Sequence, residues 1–379
     1  MQKDELGFGY PLTDPALCVN CGLCISVCPN NSNFPFNLPL KAIIANASDE
    51  TEQKTSTSGG LASVFARYII SRHGIVYGCS GVDGKNVRHI RVEQESGLFS
   101  LKGSKYVQSE IGETFRLARN DLKTKRLVLF IGTPCQIAGL KSFLGKEYEN
   151  LFTIDFVCHG VPSQQLLNDH ISQYVASRAS YSISFRKKDV RGHSHYGVFV
   201  SLSSQAETIA RRYPDDYYIT GFLQGLFYRE SCYDCPYTRK ERVSDITLGD
   251  YWDRENKCKT LKSRKYGLSM LMVNTAKGQF FFENCQYFID YRPGELSDFI
   301  KRNAQLARPI SKHIHYDNFQ KEYLTKGFKD AAQKYLANDI KMIKRSLLIS
   351  RISTIIYKLP FMKAFYKKFI TNIGILKSK

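Results

Sequence analysis

Four cysteines fall within eleven residues, Cys18, Cys21, Cys24 and Cys28, with Pro29 directly after the last. The spacing is C-x2-C-x2-C-x3-C-P, the run that wraps a 4Fe–4S cubane in bacterial ferredoxins. Two-residue gaps let successive thiolates converge from a tight loop onto neighbouring corners of one cluster. Gly22 supplies the backbone freedom such a loop needs, and Pro29 turns the chain away afterwards. Zinc is the competing metal, but zinc knuckles place their cysteine pairs far apart in sequence. One-electron transfer is the default chemistry of this segment, with these four cysteines as ligands.

A second candidate is Cys232-Tyr233-Asp234-Cys235-Pro236. A lone C-x2-C leaves a zinc half-site, a redox dithiol and a cluster half-site open. Its value comes from company. Cys135 stands at a predicted helix N-terminus, where the dipole favours a thiolate, and Cys158 closes a predicted buried strand. Together with the first four, these give eight ligands, enough for two cubanes. In two-cluster ferredoxins the fourth cysteine of the run serves the other cluster, so Cys28 could cross over. The alternative is one cluster held by the N-terminal four, with Cys135 and Cys158 as buried apolar thiols. Cys79, Cys258 and Cys285 stand alone and read as packing residues.

Three loops suit an anionic, planar ligand. Thr57-Ser58-Gly59-Gly60 precedes a predicted helix whose first N–H groups could hold a phosphate. Lys102-Gly103-Ser104-Lys105-Tyr106-Val107-Gln108-Ser109 combines cations, hydroxyls and an aromatic ring. Gly132-Thr133-Pro134-Cys135-Gln136 ends a strand, where open α/β sheets bind ligands. Ordinary caps and turns explain each loop taken alone. No G-x-G-x-x-G or P-loop is present. His159 could donate a proton, or it could be a structural histidine at a strand end.

The elements that must position these residues read as an α/β core. Strand–turn–helix units recur at 126–132 into a helix at Pro134, and at 151–157 into a helix capped by Ser163. A helix is expected from Ser58 to Ser71, a strand over 75–78 paired with 87–92, and a helix over about 112–124. Beyond Ser182, strands at 182–187 and 197–203 lead to a helix near 215–227 and a strand at 267–274. Residues 46–57 read as a polar linker. After about Lys301 the pattern is helical and increasingly basic.

Composition sets the outer bounds. With 43% apolar residues in 379, a substantial core is expected. Eleven cysteines and no apolar leader point to a reducing cytoplasm, with thiols used as ligands. The formal net charge of +19 calls for an acidic partner, an anionic cofactor or a membrane surface. Nucleic acid is not expected, because no reader motif accompanies the charge. From Lys341 to Lys379 there are ten Lys or Arg and no acidic residue. Within that run, Phe361, Met362, Phe365, Phe369, Ile373 and Leu376 share one helical face, with Lys363 and Lys367 opposite. Residues 361–376 thus suit contact with the inner face of a membrane, and packing on the chain's own domain accounts for them as well.

Taken together, these residues resemble the coenzyme F420 hydrogenase/dehydrogenase β-subunit family. The resemblance rests on CVNCGLCISVCP, the SGG loop, KGSKYVQS, GTPCQIAGLK, CHGVPS and CYDCPYT…SDITLGDYW, in order over roughly residues 10–300. It implies a ferredoxin-like 4Fe–4S module at 8–45, a β-subunit N-terminal-like domain at 55–145, and a C-terminal-like flavin and cluster domain at 150–300. A basic helical tail at 301–379 follows, and the whole is α/β, or α+β when the module and tail are counted.

The resemblance further implies a bound FAD that exchanges electrons with the clusters and hydride with a small-molecule substrate. By similarity the flavin role falls on Gly59, Gly60, Lys102, Ser104, Lys105, Tyr106, Gln108, Thr133 and Gln136, with His159 as the catalytic candidate. Reduced ferredoxin, F420 or NAD(P)H is the expected redox partner. The basic tail looks like that of bacterial members that accompany surface-polysaccharide biosynthesis genes. An electron-relay subunit docking on a separate catalytic protein is the alternative.

Overall fold

The computed structural model describes residues 1–31, 35–81, 85–176, 180–190, 192–202, 208–253, 258, 261 and 264–357. The amphipathic run at 361–376 lies outside the described residues. The strands are β1 (Gln2–Lys3), β2 (Gly9–Tyr10), β3 (Lys41–Ala47), β4 (Ile75–Ser80), β5 (Arg88–Val92), β6 (Val128–Gly132) and β7 (Leu151–Phe156). They continue with β8 (Tyr181–Lys188), β9 (Ser194–Leu202), β10 (Thr208–Arg212), β11 (Ile246–Tyr251), β12 (Leu268–Val273) and β13 (Ile289–Pro293).

The helices are α1 (Leu23–Ser26), α2 (Glu50–Thr55), α3 (Leu61–Ile70), α4 (Thr114–Lys123), α5 (Pro134–Leu144) and α6 (Gln164–Ile171). After them come α7 (Tyr217–Leu223), α8 (Ala276–Cys285), α9 (Leu296–Arg302), α10 (Tyr316–Lys326) and α11 (Phe328–Tyr357).

Among the described residues, one eight-stranded sheet runs in the order β13-β3-β12-β11-β7-β6-β4-β5. Its middle strands β4, β6, β7 and β11 are mutually parallel, with Val128 opposite Leu151 and Ile154 opposite Ile246. Both faces of this centre are covered, which is why β6 and β7 read as unbroken apolar runs. Val76, Leu129 and Ile154 pack with Phe65 of α3 and Phe281 of α8 on one face. Tyr77, Val128 and Phe130 pack with Leu122 of α4 and Ile137 of α5 on the other. The alternation along each strand is the period-two rule at work.

The segment between β7 and β11 forms a second unit. Its sheet, β10-β9-β8, packs with α6, α7, α10 and the first half of α11 around Tyr218, Phe227, Phe319 and Phe328. Asp216 caps α7 by accepting from Ile219 N at 2.7 Å, and it also accepts from the buried His170 ring at 2.9 Å.

The expected core elements are present with small shifts of their ends. One expectation needs correction. The presumed linker at 46–57 is the end of β3 followed by α2, whose N-cap Asp49 accepts from Thr51 N. The polar letters misled because α2 is a short helix with most of its residues facing water. β3 lies second from one edge of the sheet, between β13 and β12, so the segments expected at 55–145 and 150–300 share one core with it. Among the described residues beyond 301, α10 and α11 span most of 316–357, and as far as Ile340 these two helices pack in the larger apolar cluster. No described helix is long and apolar enough to cross a membrane.

Candidate redox site

Cys18, Cys21, Cys24 and Cys28 lie along the exposed N-terminal loop that surrounds α1. Gly22 caps α1 at φ 71°, in the left-handed region that glycine enters freely, and this lets the loop reverse between Cys21 and Cys24. The first three thiols are open to solvent and Cys28 is half-buried. Around them Leu17, Val19, Leu23 and Ile25 expose 80%, 82%, 63% and 63% of their surface, an apolar collar on an otherwise charged chain.

The parallel register explains the second set. Gly132 of β6 stands opposite Asp155 of β7. Cys135 and Cys158 each follow three residues later, so both emerge at the carboxyl edge of adjacent strands. The Cys232–Cys235 loop returns to the same edge, and all four thiols come within electrostatic reach of one another. Glycine is required at Gly160, whose φ is 127° and where a Cβ would stand 2.4 Å from Tyr228 Cδ2.

Protein crowding pushes all four thiols up, Cys232 to about 12 and Cys235 to about 11, although Cys135 keeps an opening to solvent. The helix N-terminus at Cys135 does not outweigh this. Two cations act the other way: Arg229 beside Cys135 and Cys232, and Arg242 beside Cys235. Among the described residues, no three Cys, His, Asp or Glu side chains close around a single-ion position. A four-iron cube, whose ligands bind separate corners, asks for a wider spread of sulfurs.

The expected flavin residues gather at the same carboxyl edge, where open α/β sheets take ligands. The Tyr106 ring stacks on Phe222 with centroids 4.6 Å apart, and its carbonyl accepts from Tyr218 Oη at 2.8 Å. Ser104 Oγ lies 3.4 Å from Thr57 Oγ1, joining two of the three expected loops. Gln108 N donates to Pro162 O at 2.8 Å, tying the lysine-rich loop to the Cys158–Pro162 turn. Lys105 Nζ donates to the carbonyls of Leu101 and Lys102 at 2.9 and 2.8 Å, and desolvation pulls it down to about 8.

Several of these groups already have local partners. Lys102 Nζ is 2.8 Å from Glu52 Oε1 and 2.8 Å from Thr55 Oγ1. Gln136 Oε1 accepts from Thr133 N at 2.9 Å, half of a capping box on α5. Gly59 N donates to Ser269 Oγ, and an added Cβ there would sit 2.8 Å from Ala45 O, so the SGG loop is glycine because β3 runs against it. His159 is exposed, with its ring 6.4 Å from that of Phe222 and Asp250 in electrostatic reach.

Sequence reasoning missed Arg186, Tyr196, Asp250 and Trp252. Arg186 Nη1 donates to Asp250 Oδ2 at 2.7 Å while its guanidinium lies over the rings of Tyr196 and Trp252, at 4.8 and 5.7 Å. Tyr196 in turn stacks on Tyr106. Asp250 and Trp252 lie in the SDITLGDYW segment, and that was the only signal. Arg186 and Tyr196 lie on strands that carry no motif.

Residues 125–290 match the family described as the C terminus of the beta subunit of coenzyme F420 hydrogenase/dehydrogenase, and residues 11–32 match the 4Fe–4S binding domain. No curated protein matches the chain. A chain of the F420-reducing NiFe hydrogenase complex from Methanosarcina barkeri, solved in a xenon-derivatised form, aligns with a TM-score of 0.46 and 12% identity over 80% of this chain and 93% of that one. Over residues 125–290 this chain is thus similar to the C terminus of the coenzyme F420 hydrogenase/dehydrogenase β-subunit, and near its N-terminus it carries a 4Fe–4S binding domain.

Proposed function

We propose that this protein is an iron–sulfur flavoprotein oxidoreductase that moves electrons between two 4Fe–4S clusters and a bound FAD serving a small-molecule substrate. Cys18, Cys21, Cys24 and Cys28 supply one ligand set, and Cys135, Cys158, Cys232 and Cys235 the other. The carrying observation is that the second thiol set shares one sheet edge with the loops expected to hold a flavin.

The residues suit both groups. Four thiolates around an iron cube leave net negative charge, and Arg229 and Arg242 stand beside them. Lys105 is a desolvated cation with carbonyl partners, the environment that a diphosphate would complete. Tyr106 offers an aromatic wall, and Ser104 and Thr57 offer hydroxyls. Lys102 is bound up by Glu52, so its part is to hold the loop rather than the ligand. His159, exposed at the strand end, is our candidate for handing a proton to substrate. FAD, when bound, supplies two-electron hydride exchange on one side and one-electron exchange on the other. Surface-polysaccharide biosynthesis is the setting we propose, from the basic C-terminal run.

The test is anaerobic purification with iron, sulfide and flavin quantitation, then a screen of reduced ferredoxin, F420 and NAD(P)H as donors. Protein that is colourless after reconstitution, or that releases no flavin, would overturn the proposal. The apolar collar at Leu17, Val19, Leu23 and Ile25 favours a second reading, a relay subunit whose exposed cluster loop docks on a catalytic protein. That version shows turnover only when the partner is added.

A further inference from the structure

Tyr237 stands two residues beyond Cys235 and is 4% exposed. Its hydroxyl donates to the Pro29 carbonyl at 2.7 Å, and Pro29 directly follows Cys28. Cys28, Cys135 and Cys235 all lie within electrostatic reach of that hydroxyl. One side chain therefore hydrogen-bonds the end of the N-terminal cysteine loop and stands two residues after the last cysteine of the second set.

The contact is braced on both sides. Pro29 faces Gly139 of α5, where an added Cβ would stand 3.9 Å from Pro29 Cγ. Asn37 and Arg242 exchange backbone hydrogen bonds in both directions at 2.8 Å. The Phe36 ring lies 5.9 Å from that of Tyr237, with Arg239 over its face at 4.2 Å. Tyr237 also packs in the apolar cluster with Ile137, Leu140 and Val243. Packing alone would be served by phenylalanine, since a buried hydroxyl costs free energy unless it is paired.

We propose that Tyr237 is the bridge that locks the N-terminal cysteine loop onto the second cysteine set and carries electrons between them. This rests on the reading that the second set holds its own cluster. The route leaves Cys28 along the backbone to the Pro29 carbonyl, crosses a single hydrogen bond, and runs through the Tyr237 side chain and main chain to Cys235. The electron that a cluster held by one cysteine set would lose, a cluster held by the other would gain, and Tyr237 keeps its proton throughout.

The test uses full-length protein reconstituted without oxygen and mixed with dithionite, followed by freeze-quench electron paramagnetic resonance. Tyr237→Phe is expected to keep wild-type iron, sulfide and flavin and to slow electron exchange between the two cluster signals several-fold, because a through-space gap replaces the hydrogen bond to the Pro29 carbonyl. Tyr237→Leu, which also removes the ring, is expected to slow it further. An unchanged rate in Tyr237→Phe with iron intact overturns the bridge. Loss of iron from Tyr237→Phe also overturns it, because the tyrosine would then serve only to assemble a cluster. If the wild type holds about four irons and Cys235→Ser leaves that number unchanged, the two-cluster reading has failed instead, and the bridge falls with it.

Discussion

Arg242 Nη2 donates to Asp155 Oδ1 at 2.9 Å, and both side chains are sealed from solvent. The same guanidinium donates to the carbonyls of Tyr237 and Arg239 at 3.2 and 3.1 Å and to Thr247 Oγ1 at 3.1 Å. Asp155 lies on β7 three residues before Cys158, while Tyr237 and Arg239 flank the turn that follows Cys235. One buried cation thus fastens the returning cysteine loop to the strand that carries Cys158. Removing one partner strands the other charge in the core, so Asp155→Asn or Arg242→Met is expected to cost about 3–5 kcal/mol. Chemical denaturation of the apoprotein measures this. Arg242→Met should also lower iron content, since the loop loses two carbonyl anchors. A loss under about 1 kcal/mol would show that the pair is dispensable.

Lys105 gives two pH dependences of opposite sign. Desolvation holds its value at about 8, below the ordinary 10.5, so carrying the proton opposes folding. Between about 8 and 10.5 the unfolded chain binds more protons, and apoprotein stability should rise with pH there. Retention of an anionic flavin needs the proton, so it should weaken as pH climbs through 8. Lys105→Met should lose roughly tenfold or more in flavin retention, the effect of a charge-assisted hydrogen bond, with iron content unchanged. Denaturation midpoints and flavin release across pH 7–10 test both arms. Flavin retention that is flat with pH in the wild type would separate Lys105 from the ligand.

How far the sequence reveals the site follows from what each residue depends on. The N-terminal cysteines, Thr133 at its helix start and the apolar runs of β6 and β7 were readable because their signals are local. Arg186, Asp250 and Arg242 were not, because each acquires its meaning from a partner 64 or 87 residues away, as in Arg186–Asp250 and Arg242–Asp155. Strand β3 was half-hidden for the same reason. Its pairing with β12 and β13 joins residues more than two hundred positions apart, and the polar residues after it mimic a linker. Lys102 shows the opposite failure: a residue in a resembling motif whose charge the fold spends on Glu52.

That pairing can be tested directly. Glu52 is 1% exposed and lies 2.8 Å from both Lys102 Nζ and Arg67 Nη1, with Ser56 Oγ donating at 2.7 Å. Burial raises its carboxyl value, but the hydrogen bonds from Lys102 and Ser56 more than offset this and leave it below the ordinary 4.5. Its contribution to stability is therefore present above pH 4.5 and is lost as pH falls through the lowered value. Glu52→Gln should cost about 3 kcal/mol at neutral pH and flatten the acid limb of the stability curve. Flavin retention should survive Lys102→Met far better than Lys105→Met. Equal flavin loss from the two variants would return Lys102 to the ligand.

The two cysteine sets separate by single substitutions because each cube needs its own four sulfurs. Cys21→Ser should remove one reduced-cluster signal in electron paramagnetic resonance and up to about four irons per chain, with flavin retained. Cys21 sits in an exposed loop that adds little to the apolar core, so the fold has no reason to fail with it. Cys235→Ser should remove the other signal and a similar share of the iron. Because Cys235 packs in the cluster beneath α4 and α5, its variant must be checked for native thermal unfolding before the iron is counted. Unchanged iron in a folded Cys235→Ser protein would leave one cluster on the N-terminal loop. The convergence of Cys135, Cys158, Cys232 and Cys235 would then be a packing arrangement with no metal to hold.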